Sequence, residues 1–298
     1  MSMKPKVVAI GTFDGVHLGH RSVLKVLTDY AKTHDYEPIV ITFDRHPLAL
    51  INPQRQPHAL TPTSKKKALL HEVGVFPRVM VFDEKLRNMT SREMMQKLHD
   101  EEGVKTLVIG YDNTFGCDGV NLSLEDYRNL GKETGIEVIT APEIKGVSSS
   151  AIRKAVVSGD VERAKEMLGR PYSITGTVEK GNRLGHSLGF PTANLLPSPG
   201  IALPKNGVYV AIVKDLSDGR KYPAMVNIGK RPTVVRGDNV VIEAHLFNYD
   251  GNLYGKEITV RFLKRLRDEI RFPSIEALRE QLEEDAEEAL RIARQHQH

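Results

Sequence analysis

The feature that most constrains this chain is a change of hydrophobic period near residue 170. Before it, short apolar runs recur at Val7–Ile10, Ile39–Phe43, Val79–Phe82, Thr106–Ile109 and Glu137–Thr140, with helical patterns between them. His20–Thr33 sets Val23, Leu27 and Tyr30/Ala31 on one helical face, and Ser91–His99 and Leu124–Thr134 read the same way. Buried strands joined by helices predict an α/β, Rossmann-like domain whose parallel sheet is covered on both faces. Beyond that point Gly207–Asp215, Lys221–Ile228, Val240–Asn248 and Glu257–Leu263 are β-branched and apolar, punctuated by Asp218-Gly219, Gly237-Asp238 and Asp250-Gly251. That pattern predicts a small antiparallel β-barrel or sandwich.

A C-terminal helix follows, with Ser274 as N-cap and Ile275, Leu278, Leu282, Ala289 and Ala293 as its apolar stripe. The acidic residues Glu283-Glu284-Asp285 and Glu287-Glu288 read as its wet face. Ala151–Leu168 reads as one or two helices broken at Ser158-Gly159, and the stop signal Gly169-Arg170-Pro171 divides the chain into domains 1–170 and 171–298. With 40% apolar and 27% charged residues, the composition is globular. No run approaches the 18 or so apolar residues of a membrane span. The N-terminus lacks a signal-peptide pattern, and the single Cys117 suits a reducing, cytoplasmic setting. Net charge is 42 − 38 = +4. The longest basic run, Lys65-Lys66-Lys67, reads as a solvated helix face, so small anions rather than nucleic acid or membrane are the expected partners.

Two segments carry chemistry in the first half. Gly11-Thr-Phe13-Asp14-Gly15-Val-His17-Leu-Gly19-His20 follows the first strand and opens a helix. Parallel sheets present ligands at the carboxyl ends of their strands, and a helix N-terminus there offers N–H groups and partial positive charge to an anion. Glycines allow close backbone approach, and His17 and His20 can donate to phosphate oxygens. Val147-Ser148-Ser149-Ser150-Ala151-Ile152-Arg153 places three hydroxyls at a helix start and a guanidinium one turn later, which can hold phosphate oxygens; read alone, it is more simply an N-cap with two spare serines.

In the second half there is no Walker-type loop. Gly176, Gly181, Gly185 and Gly189 can instead form a loop over phosphates, and Thr192 and Asn194 fall on one side of an extended segment as hard oxygen ligands for Mg2+. The same residues also read as a glycine turn before an edge strand. On Val240–Asn248, period two puts Glu243, His245 and Phe247 on one face and Ile242, Ala244 and Leu246 on the other.

The string G-x-F-D-G-x-H-x-G-H resembles the nucleotidyltransferase signature, in particular that of the bacterial bifunctional riboflavin kinase/FMN adenylyltransferases. Gly189–Asn194 matches that family's G-F-P-T-A-N, Val226–Thr233 its V-N-I-G-x-R-P-T, Leu253–Gly255 its L-Y-G, and Leu266, Arg267, Glu269 and Phe272 its L-R-x-E-x-x-F. The resemblance implies that His17 and His20 stabilise charge on ATP phosphates, with Gly11, Phe13, Asp14, Gly15, Gly19, Ser148, Ser149, Ser150 and Arg153 completing that site. It implies flavin contacts from Asp44 and His46 of Thr42–Pro47, from Asp112 and Phe115, and from Arg267, Glu269 and Phe272. In the kinase half it gives ATP to Gly176, Gly181 and Gly185, Mg2+ to Thr192 and Asn194, and the general base to Glu243, with His245 structural. The chain departs from the family at Asn113, where an aromatic is usual, at Asp118, where positive charge is expected, and at His186, where arginine is common. The activity implied is phosphorylation of riboflavin to FMN and adenylylation of FMN to FAD, both with ATP and Mg2+. The alternatives are a kinase with weak adenylyl transfer and a flavin-responsive regulatory protein.

Overall fold

The computed structural model describes residues 4–111, 114–179, 189–230 and 240–296. Asp112, Asn113, Gly181, Gly185, His186 and Arg231–Thr233, all singled out in the sequence, lie outside the described residues. The chain divides into two compact units, Met1–Ser149 and Ser150–His298.

The first unit is a parallel sheet of β1 (Lys6–Ile10), β2 (Glu37–Phe43), β3 (Phe76–Met80), β4 (Val104–Ile109) and β5 (Glu137–Thr140), in the order β3-β2-β1-β4-β5. Its helices are α1 (Leu18–His34), α2 (Leu48–Ile51), α3 (Thr63–Glu72), α4 (Glu84–Asn88), α5 (Ser91–Glu102) and α6 (Leu124–Thr134). Both faces of the sheet are covered, as the continuous apolar runs predict. Val8, Ile10, Ile41 and Leu107 pack with Met94, Met95, Leu98 and Tyr127 on one side. Val7, Ala9 and Val40 pack with Leu24, Leu27, Leu69 and Leu70 on the other. The third strand begins earlier than Val79, because Ile39–Phe43 pairs with Phe76–Met80. It stops before Phe82, whose N–H is taken by the Asp44 carboxylate. The strand order reverses between β1 and β4, where such sheets open a ligand crevice.

The second unit is a closed barrel rather than a sandwich, in the order β10-β7-β6-β11-β8-β9. Its strands are β6 (Ser173–Glu179), β7 (Ala193–Pro197), β8 (Gly207–Asp215), β9 (Lys221–Lys230), β10 (Val240–Leu246) and β11 (Glu257–Arg267). Preceding helices α7 (Ser149–Ser158) and α8 (Val161–Leu168) are separated at Gly159-Asp160. The compact second unit therefore opens before the Gly169–Pro171 stop signal, with α8 packed on β11. The final helix α9 (Ile275–Arg294) covers Val208, Val210, Ile212 and Met225 with Ala289, Ile292 and Ala293. Two readings of α9 need correction. Ile275 is exposed, and Asp285 is 5% exposed rather than part of a wet face, because Arg267 reaches it from β11. Among the described residues, no helix is long and apolar enough to cross a membrane.

Candidate active sites

The first site forms where β1 feeds α1. His17 is the N-cap of α1, and its Nδ1 accepts the His20 N–H at 3.3 Å. An imidazole accepting at Nδ1 carries its proton on Nε2, the donor needed toward a phosphate oxygen. The two rings stack at 3.6 Å, and His17 is 6% exposed. Gly19 permits this arrangement, since a Cβ there would sit 3.1 Å from two atoms of the His17 ring. No acidic residue occupies the first turn of α1, so the positive end of the helix is left to an anion.

The preceding loop is strained. Phe13 (φ 48°) and Val16 (φ 40°) are left-handed without being glycine, and Gly15 (φ 85°) needs no Cβ there. Such backbone costs about 1–3 kcal/mol per residue and persists only where the surroundings over-determine it. Here burial of Phe13 and Val16 supplies part of the constraint. The Asp14 carboxylate supplies more, accepting from Leu60 N at 2.9 Å and Thr61 N at 3.1 Å, while Thr61 Oγ1 accepts from Gly15 N at 3.0 Å. Asp14 therefore shapes the loop by latching it to the start of α3. Ser149, at the start of α7, donates its hydroxyl to the Asp14 carbonyl at 2.9 Å, which brings Ser149 to the histidine loop. Ser148 precedes it, Ser150 follows, and Arg153 stands one turn along α7.

One residue here departs from the sequence expectation of a solvated face. Lys66 is 7% exposed, not part of a solvated face. It stands one turn before Leu69 and Leu70 on the buried side of α3, and its Nζ donates to Thr12 O and Thr42 Oγ1, each at 3.0 Å. Burial pushes this ammonium down from the ordinary lysine range, against the pull of Asp14 and Asp44. Three lysines in a row on a helix span both faces; only the packing shows which one turns inward.

The residues assigned to flavin meet different fates. Asp44 closes β2 onto the end of β3. Against the upward push of burial, hydrogen bonds from Phe82 N and Arg45 hold its carboxyl below the usual range. His46 Nδ1 accepts from Leu48 N at 3.2 Å and so starts α2. Phe115 is 9% exposed and packs on Tyr127 at 4.9 Å, a core position. Its loop is anchored by Ser91, whose single hydroxyl proton is shared between Phe115 O at 2.6 Å and Asp118 Oδ1 at 2.7 Å. Asp118 also accepts from Ser91 N at 2.7 Å, so its charge is spent at the start of α5. The departure from the family at Asp118 is thus a helix-terminus contact.

The second site lies on the barrel wall. Burial along β10 alternates, with Ile242, Ala244 and Leu246 buried and Glu243 and His245 partly exposed between them. Glu243 pairs with Asn194 of β7 and with Asn227 of β9. Register alone makes this cluster, since the three residues are far apart in sequence. His245 Nδ1 meets Pro191 O at 2.8 Å, and its ring lies edge-on to Phe190 at 5.2 Å and Phe247 at 5.1 Å. It ties the Gly189–Asn194 segment to the strand bearing Glu243, the structural role expected of it. Burial lowers its pKa, partly countered by the Pro191 carbonyl.

Gly176 is not in a phosphate loop. It lies within β6, where a Cβ would overlap the Leu196 carbonyl of the neighbouring strand. Gly189, at φ 82°, does make the turn before Phe190. Gly229 leaves room for the Glu269 carboxylate, which accepts from Asn206 at 3.2 Å and so reaches β9 two residues beyond Asn227. Arg267 is committed elsewhere. Its Nε and Nη2 grip Asp285 at 2.9 and 2.6 Å, with Phe272 5.7 Å below the guanidinium.

Comparison with known proteins agrees with both halves. The riboflavin kinase family matches residues 168–293, and the FAD synthetase family matches residues 1–154. The bifunctional riboflavin kinase/FMN adenylyltransferase of Pseudomonas fluorescens is 35% identical, with 96% of this chain and 93% of the relative covered. That of Bacillus subtilis is 34% identical over 96% and 92%. A crystal structure described as a macrolide-efflux protein from Streptococcus pneumoniae superposes with a TM-score of 0.88 at 30% identity, covering 96% of this chain and 94% of that one. The chain belongs to the bifunctional riboflavin kinase/FMN adenylyltransferases, ATP-using enzymes that convert riboflavin to FMN and FMN to FAD.

Proposed function

We propose that adenylyl transfer runs on the His17–His20 loop with Ser148–Arg153, and that phosphorylation runs on Glu243 with Thr192 and Asn194. The observation that carries the first assignment is His17 as N-cap of α1 at the point where the strand order reverses. In this reading the Nε2 protons of His17 and His20 meet ATP phosphate oxygens. Charge shifts onto those oxygens as the FMN phosphate attacks the α-phosphorus and pyrophosphate leaves, so the two donors favour the transition state over the ground state. The serine hydroxyls and Arg153 hold the remaining phosphates.

In the kinase half Glu243 takes the proton of the ribityl hydroxyl as that oxygen attacks the γ-phosphorus and the bond to the β,γ-bridging oxygen breaks, releasing ADP. Thr192 and Asn194 fit Mg2+. A hydroxyl and an amide oxygen are hard neutral donors, and Asn194 stands opposite Glu243 in the ladder. When bound, Mg2+ neutralises charge on the phosphate oxygens. The domains then divide the work near residue 170, and a cytoplasmic setting suits the lone Cys117.

Hydrogen–deuterium exchange tests the assignment. A non-hydrolysable ATP analogue with FMN should protect residues 11–20 and 147–153, and riboflavin with Mg-ADP should protect 189–194 and 240–246. Absence of protection at 11–20 under saturating analogue would refute the first site.

A further inference from the structure

Lys66 is a buried charge that the proposed chemistry leaves unused. Its ammonium lies under the carboxyl ends of β1 and β2, 3.0 Å from Thr12 O, 3.0 Å from Thr42 Oγ1 and 3.5 Å from Phe43 O. Thr42 Oγ1 also donates to Thr12 O at 3.0 Å, so ammonium, hydroxyl and carbonyl close a triangle. The carbonyl they share belongs to the residue just before the left-handed Phe13. On the far side of the same loop, Asp14 and Thr61 fix Gly15 and the start of α3. Lys66 rides on that helix. The loop that ends in His17 is therefore held at Thr12 by one side chain of α3, at Asp14 by the Leu60 and Thr61 N–H groups leading into that helix, and at Gly15 by the Thr61 hydroxyl.

A lysine is a poor choice for mere filling. Burying an ammonium is unfavourable unless oxygens replace its water, and methionine would fill the same space without that penalty. What the ammonium does that an apolar chain cannot is fix the direction of a carbonyl.

We infer that Lys66 is a positioning residue for FMN adenylylation, holding the Thr12 carbonyl so that the strained Phe13–Val16 turn delivers His17 to the start of α1. This rests on the assignment of the histidine loop to adenylyl transfer. In this role Lys66 acts through Thr12 on the direction of the His17 ring. A displacement of about 1 Å in a reacting geometry can reduce rate about 10²-fold.

The test uses the full-length protein, with FMN, ATP and Mg2+ supplied and FAD measured. Lys66→Met keeps the stem and removes the ammonium. Thr42→Val keeps the volume and removes the second corner of the triangle. For Lys66→Met we expect kcat for FAD formation to fall about 10- to 100-fold with KM for ATP changed less than kcat, and riboflavin phosphorylation to continue at the wild-type rate. Thr42→Val should show a smaller fall in the same direction, and it decides the matter if Lys66→Met does not fold. Because both act on one carbonyl, the double variant should lose less than the product of the two single losses. His20→Ala is run alongside. If His20→Ala loses FAD formation while Lys66→Met or Thr42→Val keeps wild-type kcat, the positioning role is wrong. Fully multiplicative losses in the double variant also overturn it. If His20→Ala keeps wild-type kcat, the assignment of the site itself fails.

Discussion

Glu243 of β10 faces Asn194 of β7 directly across the antiparallel ladder, and Asn227 of β9 faces it from the other side. Glu243 thus shares one face of the wall with two asparagines, and the opposite face is packed with Ile242, Ala244 and Leu246. Glu243→Gln keeps the size and the neighbours but removes the proton acceptor. We expect riboflavin phosphorylation to fall about 10²–10⁴-fold, with supplied FMN still converted to FAD. A wild-type rate of FMN formation would leave Glu243 as part of the wall only.

His20→Ala removes a ring stacked on His17. The loss of one donor to developing charge reduces rate about 10²–10³-fold, so riboflavin and ATP should yield FMN that accumulates while FAD formation slows. Loss of FMN production in a folded variant would contradict two separate sites.

The Arg267–Asp285 pair fastens β11 to α9, and Asp285 is buried. Removing one partner of a buried pair leaves the other uncompensated. Asp285→Ala should therefore destabilise the protein by about 3–5 kcal/mol in urea titration. If Arg267 serves flavin instead, Asp285→Ala leaves the midpoint unchanged, and Arg267→Ala raises KM for riboflavin at normal stability.

His245 gives a pH dependence with a definite sign. Its pKa is lowered in the fold, chiefly by burial, so the unfolded chain binds a proton more readily than the native one. Its contribution is fully present above the unfolded value of about 6.5 and is lost as pH falls from there through the folded value. The stability advantage of wild type over His245→Gln should shrink between pH 8 and pH 5.5. A constant difference in urea midpoints across that range would show that His245 does not titrate with folding.

Since α8 packs on β11 and buries Val161, Ala164, Met167 and Leu168, the fragment 150–298 should be more stable than 171–298. Burying one such side chain contributes about 1.5–3 kcal/mol, so the shorter fragment should lose at least that much. Equal urea midpoints would show that α8 adds nothing to the barrel.

The sequence by itself determined the parallel sheet and most of its helices. Its strands are covered on both faces, so the signal is a run of apolar residues that no surface element would carry. The helix starts at Ser91 and Leu124, read from the apolar period, are fixed locally: Thr90 with Glu93 and Ser123 with Asp126 form capping boxes within four residues. The histidine loop was legible as a ten-residue string between a strand and a helix, and the cap and stacked ring that the structure adds need only four consecutive positions. Strand β6 was not legible, since Ser173–Glu179 is half polar with a glycine inside, and β7 was legible only as an extended segment after a glycine turn; closure of the barrel gives both their partners. Tertiary structure alone decided the fate of the charges. Lys66 and Asp285 stand in runs that read as solvated, and each is buried because a partner distant in sequence, Thr12 and Thr42 for one and Arg267 for the other, replaces the water it loses. Local composition reports a side chain's chemistry, whereas burial depends on which distant oxygen or guanidinium the fold brings to it.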